Sequence, residues 1–84
     1  MKSKKSWNNI PSLDLHGLRY NEVEDTVLNW LLPKSNYQLP VNIITGNSMK
    51  MKKVVVDILL SHDYSYINGD TFNRGYIKVT QYKL

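Results

Sequence analysis

The stretch Leu13-Asp14-Leu15-His16-Gly17 constrains the fold more than any other part of the chain. Leu13 and Leu15 alternate with Asp14 and His16, the period of a strand that buries one face and shows the other. Side chains at i and i+2 of a strand stand roughly 6–7 Å apart on the same face. The pattern therefore predicts a carboxylate and an imidazole displayed together. Gly17 allows a sharp exit because it carries no Cβ. Immediately afterwards the pattern changes from period 2 to the period of a helix. A strand that turns directly into a helix points to an α/β unit with its chemistry at the junction.

The expected first strand is Ser12 to His16 and the expected first helix Asn21 to Leu32. Asn21 suits the N-cap, with Glu24 three residues on to complete a capping box. Glu22, Glu24 and Asp25 complement the helix dipole, and Val23, Val27, Trp30 and Leu31 form one apolar face. Pro33 closes the helix, and Ser35 to Pro40 reads as loop. Val41 to Ile44 is a short apolar run, a second and buried strand, followed by the turn Thr45-Gly46-Asn47-Ser48.

Met49 to Ser61 pulls two ways. Val54-Val55-Val56 favours a strand by propensity, but Met51, Val54, Val55, Ile58 and Leu59 keep helical spacing over a run too long for an ordinary strand. Spacing and length prevail, which predicts a second helix capped by Ser48. Tyr64 to Asn68 and Tyr76 to Tyr82 are the remaining strands, joined through the turn-rich loop Gly69 to Gly75. In the last strand Ile77 and Val79 should face the core, with Tyr76, Lys78, Thr80 and Tyr82 opposite. The order is βαβαββ. It implies an α/β two-layer sandwich: a mixed four-stranded sheet with two helices packed on one face.

At 84 residues the chain fits one domain. Residues 1–11 read as a basic, flexible N-terminal tail and residues 12–84 as the domain. In the tail, Lys2, Lys4 and Lys5 sit among Ser and Asn without periodicity, either solvated or contacting phosphate. Trp7 suits docking onto the domain or stacking on a base. The lack of cysteine excludes a disulfide framework and fits a cytoplasmic protein. No apolar run is long enough for a membrane span, and none follows the basic N-terminus as a secretory signal would. With 11 Lys and Arg against 7 Asp and Glu, the net charge of +4 favours a polyanionic partner, nucleic acid above all.

A crossover of this length joins parallel strands, so both strand-to-helix turns should reach the same sheet edge. One brings Asp14, His16 and Gly17, the other Thr45, Gly46, Asn47 and Ser48. The second helix opens with Lys50, Lys52 and Lys53 and meets no acid before Asp57. Those cations oppose its dipole by about 0.3–1 kcal/mol each when exposed. A phosphate held by the free amides of the helix start, Ser48 and the lysines would relieve the conflict and is the favoured reading; simple solvation of an exposed face is the alternative.

These features resemble the Smr (small MutS-related) domain family. Leu13-Asp14-Leu15-His16-Gly17 matches its L-D-x-H-G motif in full, and Thr45-Gly46-Asn47-Ser48 matches its [H/T]-G-x-G turn except at the last position. Asn73-Arg74-Gly75 looks like a shortened form of the glycine-rich approach to the final strand. The resemblance runs over about Ser12 to Leu84. It implies a nucleic-acid partner, RNA or structured DNA, and a nicking or RNA-cleaving endonuclease activity. Asp14 would inherit the cleavage role and His16 the motif histidine. Gly17, Thr45, Gly46, Asn47, Ser48, Lys50, Lys52, Lys53 and Arg74 would hold the backbone phosphates. Ser48 in place of glycine either crowds a phosphate with its Cβ or adds a hydroxyl and caps the helix.

In a cleavage reaction His16 can serve as base or donor, and Asp14 can orient the imidazole, act as base or hold Mg²⁺ through water. No other cofactor is indicated, and one carboxylate does not suit a two-metal nuclease. The alternative is a non-catalytic RNA- or DNA-binding module. Asp14 would then be an Asx turn at the strand exit, with His16 packed beneath it, and both would only shape the phosphate site. A monomer is expected. Tyr64, Tyr66, Tyr76 and Tyr82 around Lys78 are either ordinary strand residues or an aromatic surface for bases.

Overall fold

Two crossovers between parallel strands organise the chain. In the computed structural model, which describes residues 10–69 and 75–83, β1 (Ser12–Asp14) leads through α1 (Tyr20–Leu31) to β2 (Val41–Ile44). From there α2 (Met49–Ser61) leads to β3 (Tyr64–Asn68), and β4 (Tyr76–Tyr82) follows. The sheet order is β1-β2-β4-β3. β1 is parallel to β2, and β4 runs antiparallel between β2 and β3. Both crossovers step across the sheet in the same direction, so right-handedness places both helices on one face. The expected α/β order and mixed sheet are therefore observed, and α1 packs against α2. No helix among the described residues is long and apolar enough to cross a membrane.

The core lies between helices and sheet. α1 contributes Val23, Val27 and Leu31, and α2 contributes Met51, Val55, Ile58 and Leu59. The sheet answers with Leu15, Val41, Ile43, Ile77, Val79 and Tyr64. Helical spacing prevails over the β-branched triplet in α2 because it puts Val55 into the core, while Val54 and Val56 lie partly buried at its margin. No helix of the described residues covers the opposite sheet face. Register places Ser12 beside Asn42, Asp14 beside Ile44, Lys78 beside both Asn42 and Ile67, and Tyr76 beside Ile44 on that face.

Three local expectations are corrected. β1 ends at Asp14 rather than His16, although the Leu15 N–H still donates to the Ile44 carbonyl at 3.0 Å. α1 starts at Tyr20, with Arg19 as N-cap, so neither Asn21 nor Glu24 has the expected role. Glu22 closes the capping box instead: its carboxylate accepts the Arg19 N–H at 3.1 Å, which satisfies the cap two residues earlier. The helix ends at Leu31, with Leu32 as its C-cap. In β4 a register shift against β3 inserts one extra residue, since Ser65 pairs with Gln81 while Tyr66 pairs with Val79. The bulge returns Tyr82 to the helix-covered face, where its ring meets Tyr64 at 5.1 Å between centroids. Tyr64, Tyr66 and Tyr82 thus pack with the core as ordinary strand residues, and of the alternative aromatic surface only Tyr76 is left.

Asn36, in a short 3₁₀ turn before β2, clamps the far end of β4. Its amide accepts the Tyr82 N–H at 2.8 Å and donates to the Tyr82 carbonyl at 3.2 Å, as a neighbouring strand would. Each such bond contributes about 0.5–1.5 kcal/mol net. Asn36→Ala should therefore lower unfolding free energy by about 1–2 kcal/mol in a urea titration. Burial first, and Tyr82 second, push the Tyr64 phenol above its ordinary value. The folded state then holds that proton more tightly than the unfolded one. The associated stability is complete below about pH 10 and is lost as pH rises through the folded value. Tyr64→Phe should flatten this alkaline decline in a melting-temperature series.

Candidate nucleic-acid interface

The parallel pairing of β1 with β2 sets the site. Asp14 stands opposite Ile44, so the two strand-to-helix turns leave the sheet side by side, roughly 5 Å apart in the hydrogen-bonding direction. β4 enters and β3 leaves at this same edge. The edge is thus built from Asp14–Gly17, Thr45–Ser48, Asn68–Gly69 and Gly75–Tyr76.

The first turn is closed by its own sequence. Asp14 Oδ1 accepts the His16 N–H at 2.9 Å, an Asx turn, and the Leu18 N–H donates to the Leu15 carbonyl at 3.1 Å. Gly17 is the third residue of this β-turn and has φ +84°, a position that favours glycine. An added Cβ there would meet no atom within 4 Å, so the constraint is the backbone alone. Asp14 and His16 are both exposed, and no side-chain hydrogen bond joins them among the described residues. The second oxygen of Asp14 and the imidazole are left for other partners.

The second turn is held from β4. The Gly75 carbonyl accepts the N–H groups of Thr45 at 2.8 Å and of Gly46 at 3.0 Å, and Thr45 Oγ1 donates to the Gly46 carbonyl at 2.9 Å. Thr45 and Gly46 therefore fix the turn's shape, and their amides are not available to a phosphate. Ser48 caps α2: its Oγ accepts the Met51 N–H at 3.0 Å. With φ −72°, Ser48 occupies ordinary backbone space and needs no glycine. The amides of Gly17, Met49 and Lys50 have no protein acceptor among the described residues. For Met49 and Lys50 this is the usual orphan state of a helix start.

The three lysines do not form one cluster. Lys50 lies over the Tyr20 ring, 4.4 Å from its centroid, on the side facing α1. Lys53 pairs with Asp57 at 3.4 Å on the exposed surface. Only Lys52 reaches the β4 side, where it lines a hollow of about 310 Å³ with Met49, Asn68, Gly69 and Tyr76. At 100° per residue, positions 50, 52 and 53 point in three directions around the helix. Arg74, and the tail residues Lys2, Lys4, Lys5 and Trp7, lie outside the described residues.

Compared with models of protein families, with curated proteins and with solved structures, the chain matches none.

Sequence reasoning missed one hollow among the described residues. A cleft of about 610 Å³ opens on the uncovered sheet face, against the same edge. Ser12, Asn42, Ile44, Asn47, Gly75 and Tyr76 line it. Its signal was present in the alternation of β2, which puts Asn42 and Ile44 opposite the buried Val41 and Ile43. No three His, Cys, Asp or Glu side chains converge among the described residues. A divalent ion at Asp14 would take its other ligands from water and substrate phosphate.

The Asx turn separates two roles of Asp14. Asp14→Ala should cost about 0.5–1.5 kcal/mol of stability, the net worth of the lost hydrogen bond. Asp14→Asn keeps an accepting oxygen and should melt within experimental error of the parent, as measured by thermal denaturation.

Proposed function

We propose that the chain is an Smr-like domain that binds nucleic acid at the edge formed by its two strand-to-helix turns. The observation that carries this reading is the adjacency of those turns in the parallel β1–β2 pair. It unites the two segments that resemble the Smr motifs, and with them the unpartnered amides of Gly17, Met49 and Lys50. These donors, the Ser48 cap and the Lys52 ammonium suit backbone phosphates. Net charge of +4 supports the same class of partner. The groove between α1 and α2 has the opposite character, since Glu24 and Asp57 line it, and polyanions should avoid it.

Phosphodiester cleavage is the second reading, favoured by the free Asp14 oxygen and the exposed His16 imidazole on one turn. On RNA, His16 would take the 2′-hydroxyl proton as that oxygen attacks phosphorus, and the 5′-oxygen would leave with a proton from water or a neighbouring donor. Asp14→Asn separates the two readings: it should leave affinity unchanged and abolish any cutting of labelled RNA or branched DNA. Undiminished cutting would remove Asp14 from the chemistry.

Affinity for a single strand, followed by fluorescence anisotropy across salt concentrations, tests binding itself. Log affinity should fall linearly with log salt, with a slope near −0.7 per neutralised phosphate. Lys52→Ala should reduce that slope by about one phosphate contact, while Lys53→Ala should leave it unchanged. No affinity at low salt, or equal effects of the two lysines, would contradict the proposed edge.

A further inference from the structure

We infer that the cleft on the uncovered sheet face takes an unpaired nucleobase, stacked on Tyr76 and hydrogen-bonded to Asn42. This deepens the phosphate-binding reading, on which it rests for the path of the strand.

Three observations converge on one occupant. First, Asn42 Oδ1 is buried and has no hydrogen-bond partner. Buried polar atoms are nearly always satisfied, and this one belongs to a residue that lines the cleft. The oxygen has no exposed surface, so pairing requires the amide to turn about χ2 into the cleft that its residue lines, where a ligand N–H satisfies it. Adenine, cytosine and guanine each carry an amino group, and the Asn amide can pair with adenine in two places at once. Second, Tyr76 lines both the 610 Å³ cleft and the 310 Å³ hollow, so it stands between them. An aromatic residue flanked by two hollows is suited to carry a stacked base. Third, the charge around it suits a polyanion. Lys78 shares the open face as the register partner of Asn42, and Lys52 lines the second hollow. Asp14 is the acid placed on that face by register; it does not line the cleft, and one of its oxygens is held by the His16 N–H.

The cleft also touches the phosphate edge directly, through Asn47 of the turn that starts α2. A strand whose base enters the cleft would run its backbone past the Met49 and Lys50 amides. A base in a duplex is stacked and paired and cannot enter, so the partner must be single-stranded or locally open.

The test uses the full chain with four probes: a short oligoadenylate, an abasic strand with the same number of phosphates, the corresponding duplex, and adenosine alone. The oligoadenylate should bind about tenfold more tightly than the abasic strand, equivalent to about 1.4 kcal/mol, and more tightly than the duplex. Tyr76→Ala should erase that difference, and Tyr76→Phe should preserve it. Asn42→Val should reduce oligoadenylate affinity without lowering stability, because the amide oxygen has no partner to lose. Equal binding of oligoadenylate and abasic strand would overturn the base pocket and leave the phosphate edge standing. Adenosine that shifts the Asn42 and Tyr76 resonances, with no strand bound at low salt, would do the reverse. No response to any probe would overturn both.

Discussion

The pairing of β1 with β2 is the constraint on which the rest depends. β1 has three residues, and its ladder is prolonged on both sides: Asn42 N–H donates to the Pro11 carbonyl and Leu15 N–H to the Ile44 carbonyl. This short parallel contact brings together two turns about 30 residues apart in sequence. It also anchors Leu15 in the core, so that the chain leaves the sheet at a fixed point before His16. Without it, the acidic turn and the α2 start would have no defined relation.

Around that contact, the molecule divides its work between two sheet faces. The helix-covered face is used for stability, with Leu15, Val41, Ile43, Ile77 and Val79 closing on α1 and α2. The other face carries Asn42, Ile44, Tyr76 and Lys78, with a cleft beside the turns. Gly75 links the two. Its carbonyl ties down the second turn, and the next residue, Tyr76, borders both hollows. The shape of the turn edge and that of the proposed base pocket therefore both depend on Gly75 and Tyr76.

Much of this was legible in the sequence because periodicity reports directly on burial. The alternation around Leu13 and Leu15, the spacing of Val23, Val27 and Leu31, and that of Met51, Val55, Ile58 and Leu59 each identified an element and its buried side. Ser48 as a cap followed from its hydroxyl and place. What escaped had its cause in tertiary structure. The β4 bulge depends on register against β3, which no single-strand pattern contains, and it moved Tyr82 across the sheet. The α1 cap fell on Arg19 with Glu22 rather than on Asn21 with Glu24, the same spacing two residues earlier. The dispersal of Lys50, Lys52 and Lys53 was available from helix geometry, but their partners, Tyr20 and Asp57, were not. The alternation of β2 put Asn42 on the open face, but its unpartnered oxygen and the cleft beside it are visible only in the fold.

The central claim is that one sheet edge, with the open face beside it, receives a nucleic-acid strand. Amide chemical shifts of the isotope-labelled chain, recorded at low salt as a single-stranded oligonucleotide is added, test it most directly. The expected result is movement confined to Gly17, Asn47 to Lys50 and the start of β4, with Glu24, Val54 and Ser61 in the helix groove unmoved. Shifts confined to that helix groove, or none at all, would contradict it.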